Sequence, residues 1–302
     1  MDPKTIHNLI SIIITTHKRP SQMLRRAIDS VINQRGSYKT EIIVVDDAPD
    51  FSKHDEIKAL IESYNYSIQY VINPKQGACI SRNIGIHLAA GEYVAFLDDD
   101  DEWVNTKLEQ MMPAFEPQVG MVYGRYNIAN KGYIPTSNKQ IYYQGFVFEQ
   151  LLTKGNFVGG CSVPVLRKSC VEDVGHFDEN LPSAQDWDLW LRLSKKYEIK
   201  FVNSNVVNYY ISQNAITSNF EKKIFTNQYL LNKFQEDFRK YPLAYCKMLE
   251  SQIYILFRIG QYQKAYRVCR QNKNIVSVRS FWNIAFRAVG KRILIKLKLQ
   301  AR

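Results

Sequence analysis

The sequence predicts an α/β chain: a doubly wound, mostly parallel sheet followed by a helical tail. Three observations carry that prediction. Apolar, β-branched runs recur through the N-terminal third, stretches with helical spacing separate them, and the first, second and fourth runs end in polar residues. Taken in order, residues 9–14 (Leu-Ile-Ser-Ile-Ile-Ile) form a continuous apolar run, as expected of a strand buried on both faces. Helical spacing follows at Met23, Ala27, Ile28, Val31 and Ile32, with Pro20-Ser21 at its start. A second strand covers residues 41–45 and ends at Asp46-Asp47. A helix around Ile57, Leu60 and Ile61, a strand at 68–72 and a helix from 77 to 89 come next. The fourth strand, 93–97, runs into Asp98-Asp99-Asp100-Asp101. Strands alternating with helices imply a parallel sheet with helices on its faces.

The aspartate tetrad is the most informative junction. Four clustered carboxylates repel one another unless a cation or solvent neutralises them. Oxygen ligands without His or Cys suit Mg²⁺ or Mn²⁺ better than zinc. A solvated acidic turn is the plain alternative. A strand ends here, however, and ligands of open α/β sheets bind at the carboxyl ends of strands, which favours a metal site. Thr15-Thr16-His17 and Asp46-Asp47 close two other strands in the same way.

Five segments together resemble the family 2 glycosyltransferases. They are Ser11-Ile12-Ile13-Ile14-Thr15-Thr16-His17-Lys18-Arg19, Val44-Val45-Asp46-Asp47-Ala48, residues 77–85 (Gly-Ala-Cys-Ile-Ser-Arg-Asn-Ile-Gly), residues 95–103 around the tetrad, and Gln185-Asp186-Trp187-Asp188-Leu189-Trp190-Leu191-Arg192. Each motif alone is weak, but five in order over residues 8–217 are specific. The resemblance implies the GT-A fold, a nucleotide-sugar donor with UDP as the expected nucleotide, a divalent metal (Mn²⁺ or Mg²⁺), and inversion at the anomeric carbon.

The resemblance also implies roles. Thr15, Asp46 and Asp47 fall where the family holds base and ribose, and Gly77 and Arg82 where it approaches the nucleotide; Asp99 is placed with them. Asp98, Asp100 and Asp101 fall on the metal motif. Asp186 falls on the catalytic aspartate, the base that takes the proton of the acceptor hydroxyl. Gln185 stands where the family usually has Glu, and like-charge repulsion on Asp186 should be smaller for it. Trp187 could line a sugar pocket or pack in a core, Trp190 reads as core, and Gly160, in a backbone-exposing turn, could approach the donor sugar. Asp188 could cap or orient its helix. Many family members carry an Arg and a His in the segment matching residues 209–217; here Tyr210 and Ser212 stand in those places. Gln213, Asn214, Thr217 and Ser218 are the remaining candidates there for contacting phosphate. Tyrosines at 123, 126, 133, 142 and 143 mark the stretch expected to shape the acceptor side.

The chain changes character near residue 219, the expected end of a catalytic domain (1–219) and start of a basic helical region (220–302). Residues 220–302 carry 18 Lys and Arg against 4 Asp and Glu, a net charge of +14, while residues 1–219 carry −3. Helices are expected at 245–257 and 263–270, with a weak likeness to one tetratricopeptide pair. Trp282, Phe286, Val289, Ile293 and Leu297 then fall on one helical face flanked by Arg287, Lys291, Arg292, Lys296 and Lys298. That pattern suits a helix lying on an anionic membrane surface. A strand at 292–299, an acidic protein partner and a second copy of the chain are alternatives, and no nucleic-acid-binding fold accompanies the charge.

No apolar run approaches the ~20 residues a spanning helix needs, and the N-terminus is too polar for a secretion signal. Five cysteines without zinc spacing suggest reduced thiols, and there is no dinucleotide or P-loop fingerprint. The expectation is therefore a cytoplasmic enzyme, peripheral at the inner face of the membrane. It would move a sugar to a hydroxyl of a glycan or lipid-linked acceptor in surface-polysaccharide synthesis. Transfer to a polyprenyl phosphate, a nucleotide-sugar-binding scaffold without turnover, and nucleotidyl transfer are the rival readings.

Overall fold

The structure, a computed structural model, describes residues 6–47, 54–129, 141–210 and 219–300, with side chains as far as residue 290. Two compact units divide the chain. One comprises Met1–Leu151, Gly155–Glu179 and Gln185–Gln213, the other Leu152–Lys154, Asn180–Ala184 and Asn214–Arg302.

The first unit opens with β1 (Ile6–Thr16), α1 (Ser21–Ile32), β2 (Lys39–Asp46), α2 (His54–Glu62), β3 (Ile68–Ile72), α3 (Ala78–Leu88) and β4 (Gly91–Asp98). Then come β5 (Glu102–Trp103), α4 (Lys107–Met111), β6 (Val119–Ile128), α5 (Phe148–Lys154, its last three residues counted in the second unit), β7 (Val165–Arg167), α6 (Lys168–Val174), α7 (Gln185–Ser194) and β8 (Glu198–Tyr209). The eight strands form one sheet in the order β3-β2-β1-β4-β7-β6-β8-β5. The first four are mutually parallel, β7 runs antiparallel to both β4 and β6, and β8 is parallel to β6. This is the α/β, mostly parallel sheet that the alternating pattern predicts.

Burial explains the apolar runs. Ile10, Ile12, Ile13 and Ile14 of β1 are all fully buried, as are Val44 and Val45 of β2 and Val94, Ala95 and Leu97 of β4. A parallel strand covered on both faces has no polar side to alternate with. Gly85 brings α3 onto the sheet, because a Cβ there would collide with the Ile13 side chain. Chain order reverses about β1, which lies between β2 and β4. In a doubly wound sheet that switch point opens a crevice at the carboxyl ends of the strands.

The described helices of the second unit are α8 (Phe220–Lys233), α9 (Gln235–Lys240), α10 (Pro242–Arg258), α11 (Tyr262–Gln271) and α12 (Val278–Gln300). Asn219 caps α8 by accepting from the Lys222 N–H at 3.0 Å. Proline 242 starts α10 at a position where no amide donor is needed. Helix α10 packs against α8, α11 and α12, and Leu249, Ile253, Leu256, Phe257, Phe281 and Ala288 form the core. Residues 292–299 are helical, as the main reading expects, and the strand alternative falls. One expectation changes. Val289 packs against the core instead of sharing an outer face with Trp282 and Phe286, because Phe281, Ile284, Ala285 and Ala288 make the inward stripe beside it. The side chains of Lys291, Arg292, Ile293, Lys296, Leu297 and Lys298 lie outside the described residues, as do Ala48, Tyr133, Ser212, Gln213, Asn214, Thr217 and Ser218. Among the described residues no helix is long and apolar enough to cross a membrane.

Candidate active site

Strand register assembles the site. Thr15 of β1 lies opposite Asp98 of β4, and Thr16 lies opposite Asp46 of β2. Three separate polar strand exits thereby reach one sheet edge. Asp46 is fully buried there, accepting from the Tyr70 hydroxyl at 2.8 Å with His54 Nε2 at 3.6 Å. Asp47 is partly exposed and organises the turn into α3. Its Oδ1 accepts from the Gly77 N–H at 2.6 Å, Asn73 Nδ2 at 2.8 Å and the Ser81 hydroxyl at 3.2 Å. Gly77 has φ +128°, a backbone conformation that favours glycine. Of the expected pair, Asp47 is the member near solvent, while Asp46 props the strand ends from within.

The four aspartates part company. Asp98 Oδ1 accepts from Arg82 Nη2 at 2.7 Å and from the Thr15 hydroxyl at 3.3 Å, and its side chain stays 34% exposed. Asp99, placed with the nucleotide contacts by resemblance, turns inward instead. It is buried, accepts from the Thr16 hydroxyl at 2.7 Å and pairs with Arg19 Nε at 3.1 Å. Asp100 pairs with Arg19 Nη2 at 2.8 Å. Asp101 is buried; its Oδ1 accepts from the Tyr210 N–H at 3.4 Å and its Oδ2 has no hydrogen-bond partner. Burial pushes the carboxyl of Asp99 up to about 7 and that of Asp101 up to about 8, with neighbouring aspartates adding to the rise. Burial and Asp98 also raise Asp100.

This edge would welcome a cation. Among the described residues, no three Asp, Glu, His or Cys side chains converge as a ready-made metal cage. The pairing with Arg82 and Arg19 and the inward turn of Asp99 are the physical reason. Mg²⁺-type ions, however, are commonly held by one or two carboxylates together with substrate phosphates. The part-exposed carboxylate of Asp98 and the orphaned oxygen of Asp101 fit that shared arrangement, and all the donors are hard oxygens.

Arg82 ties the two chemical centres together. It is buried, with Nη2 on Asp98 and Nη1 donating to Gln185 Oε1 at 3.0 Å. Gln185 begins α7, next to Asp186. The Asp186 Oδ1 accepts from the Trp187 N–H at 2.8 Å and Oδ2 from Asn156 Nδ2 at 2.9 Å. Desolvation raises the affinity of Asp186 for its proton, while the Trp187 amide and Arg82 oppose that rise. Trp187 donates Nε1–H to the Leu151 carbonyl at 3.1 Å, and Trp190 is fully buried with its Nε1–H on Gly159 O at 3.3 Å. Asp188 is buried in an ion pair with Arg192 Nη2 at 2.8 Å, and Arg192 also binds the carbonyls of Val174 and His176. It anchors the helix rather than facing a ligand. A Cβ at Gly160 would meet nothing within 4 Å, so open space lies beside that turn.

Asn156, Lys107 and Arg26 have roles at the site that the sequence does not announce, and Tyr210, noted there as a departure, gains a partner. Asn156 orients Asp186 and also accepts from the N–H groups of Val158 and Gly159, at 3.2 Å each. Lys107 is fully buried under the same loop, donating to the carbonyls of Ser162 at 2.7 Å and Val163 at 2.8 Å. Tyr210, where the family pattern has a cation, lies under the Arg26 guanidinium at 3.9 Å. Arg26 in turn donates to the Asp100 carbonyl at 2.6 Å. Left-handed backbone occurs at four non-glycine residues, Asn8, Lys18, Gln76 and Ala184; Lys18 and Gln76 belong to loops at the carboxyl ends of the strands, and Ala184 directly precedes Gln185. These side-chain roles are set by contacts between distant segments, which no local pattern signals.

Comparison with known proteins agrees with this geometry. Residues 11–174 match the glycosyl transferase family 2 model. The chain is 30% identical over 240 residues to the UDP-Glc:alpha-D-GlcNAc-diphosphoundecaprenol beta-1,3-glucosyltransferase WfgD of Escherichia coli, covering 78% of this chain and 88% of that protein. Among solved structures, S. aureus TarS 1-349 in complex with UDP-GlcNAc superposes with a TM-score of 0.58 at 17% identity, over 94% of this chain and 88% of that one. The mannosyltransferase PcManGT of Pyrobaculum calidifontis, in complex with GDP-Man and Mn²⁺, gives a TM-score of 0.57 at 16% identity, over 95% and 81%. The chain belongs to glycosyltransferase family 2 and has the GT-A type of fold.

Proposed function

We propose that this family 2 glycosyltransferase transfers a sugar, with inversion, from a UDP-sugar to a hydroxyl of a glycan carried on a lipid diphosphate. The observation that carries the reading is the Asp98–Arg82–Gln185 bridge, which ties the aspartate-rich strand edge to the residue beside Asp186. A donor across the strand ends would meet Thr15 and Asp47 with its nucleoside and Arg82 with its diphosphate. A bound Mg²⁺ or Mn²⁺, held by Asp98 and Asp101 with help from Asp100, would neutralise charge on the departing diphosphate.

The chain's own groups do the rest. Asp186 accepts the acceptor's hydroxyl proton as that oxygen bonds to the anomeric carbon from the face opposite the diphosphate. The bond from the anomeric carbon to the diphosphate oxygen breaks, and its electron pair leaves with the nucleoside diphosphate. Asn156 and the Trp187 amide hold the carboxylate in place for that transfer. Asp99 serves as a prop that fixes Arg19 and the exit of β1. The similarity to WfgD, whose name specifies a diphosphoundecaprenol-linked acceptor, supports the acceptor class, and the oxygen-only donor set supports the metal.

The test is titration calorimetry of UDP and GDP with Mn²⁺ and with EDTA, followed by transfer assays with UDP-sugars and lipid-diphosphate glycans. Metal-dependent UDP binding lost in Asp98→Ala is expected. GDP preference would redirect the donor, and binding of neither nucleotide would sink the reading. Near-normal turnover in Asp186→Asn would instead favour an acceptor that is already anionic, such as a polyprenyl phosphate.

A further inference from the structure

The helical unit leaves a line of large apolar side chains in water. Val278, Trp282 and Phe286 of α12 are 69%, 65% and 83% exposed. At about 100° per residue they stand one step around the helix from the buried stripe of Phe281, Ile284, Ala285 and Ala288. Beyond them on the same helix come Arg279 and Arg287, both exposed. Helix α12 therefore carries three bands: a core face, an exposed apolar ridge and a basic edge.

The neighbouring helix extends the ridge. Tyr262 and Tyr266 of α11 are exposed at 47% and 59%. Tyr266 meets the Phe281 ring at 6.3 Å between centroids, and Phe281 meets Trp282 at 5.5 Å. Tyr262 joins the same cluster through Phe257, at 5.7 Å, which itself packs on Phe281 at 5.4 Å. Lys264 and Arg267 are exposed on the same helix, Arg267 about 100° around it from Tyr266.

We propose that this two-helix patch docks on the surface of an anionic phospholipid bilayer, with Val278, Trp282 and Phe286 entering the headgroup boundary and Arg279, Arg287 and Arg267 facing lipid phosphates. Charge selects the occupant. Residues 220–302 carry a net +14, so a second copy of the chain would bring like charges together, whereas an anionic membrane neutralises them. Side-chain chemistry selects further. Trp and Tyr favour the membrane interface, where one end of the ring is apolar and the other wet. Exposed Val278 gains from leaving water altogether, which base stacking on a nucleic acid would not offer an aliphatic side chain. The patch differs from the single-helix face read in the sequence: it recruits α11 and excludes Val289. It does not depend on which donor or acceptor the enzyme uses.

The experiment is flotation of the full chain with phosphatidylcholine vesicles containing or lacking phosphatidylglycerol, over a range of salt. Binding is expected only with the anionic lipid, weakening as salt rises, and falling about tenfold or more in Trp282→Ala/Phe286→Ala. Replacing Arg279 and Arg287 with Gln should weaken binding and flatten its salt dependence. Melting curves and nucleotide titration of each variant should match the parent, since these side chains are exposed. No binding to anionic vesicles, or unchanged binding by the aromatic double variant, overturns the proposal. So does a lipid-free oligomer that the double variant dissociates, or a DNA oligonucleotide whose binding the same substitutions abolish.

Discussion

The sheet unit and the helical unit use charge in opposite ways. At the sheet edge, carboxylates and guanidinium groups converge and pair, each pair with a buried member: Arg82 with Asp98, and Asp99 with Arg19. In the helical unit the cations greatly outnumber the acids, and among the described residues those of α11 and α12 (Lys264, Arg267, Arg270, Arg279 and Arg287) are exposed. A buried polar group must have its partner, because desolvation without one is costly, whereas an exposed cation is already satisfied by water. Substitutions should therefore be severe in the first region and graded by exposure in the second.

The largest effect is expected at the proposed base. Asp186→Asn should lower the transfer rate about a hundred- to ten-thousandfold while UDP affinity holds, as single-turnover assays and calorimetry would reveal. Next come two neighbours on one helix, which test the contrast within the helical unit itself. Phe281→Ala, removing a buried ring, should cost about 3–5 kcal/mol in a denaturant titration. Trp282→Ala, one residue on, should change stability by no more than about 0.5 kcal/mol. Equal losses at the two positions would break the contrast.

Arg82→Ala should destabilise by roughly 2–3 kcal/mol and weaken UDP binding, because Asp98 and Gln185 lose their shared donor. Lys at that position should recover part of the loss, since an ammonium lacks the planar fork that spans two acceptors. Asn156→Ala should reduce kcat about tenfold with KM nearly unchanged, the signature of a residue that positions Asp186.

The smallest effect concerns pH. Asp186 must be ionised to take a proton, and desolvation raises its pKa. The acid limb of kcat should thus lie above the ordinary aspartate value of about 4, with activity falling as pH drops through it. Gln185→Glu, placing a carboxylate next to Asp186, should move the limb further up. A limb at the ordinary aspartate position, unmoved by that change, would remove Asp186 from the role.

Much of this was legible in the residues alone. The strand runs at 9–14, 41–45 and 93–97 are long, β-branched and bounded by polar exits, and a sheet buried on both faces leaves little else they could be. The third strand, expected at 68–72, has those bounds in the structure. The tail's helices followed from spacing. By contrast, the separate fates of four adjacent aspartates could not be read, because one-residue steps along a turn point side chains in different directions. Asn156 and Lys107 were invisible for another reason. Each gains its role from a partner distant in the chain, 30 residues away for Asn156 and Asp186, and 55 for Lys107 and the Ser162 carbonyl.

By itself, then, the sequence determined the fold class, the family and the strand ends where chemistry gathers, since these depend on periodicity and on motifs of adjacent residues. Tertiary structure alone decided which carboxylates face solvent, that Arg82 joins Asp98 to Gln185, and that Val289 packs inward while Trp282 and Phe286 stay in water. Those outcomes depend on which segments meet in space and what each meeting removes from solvent, and local sequence carries no record of that.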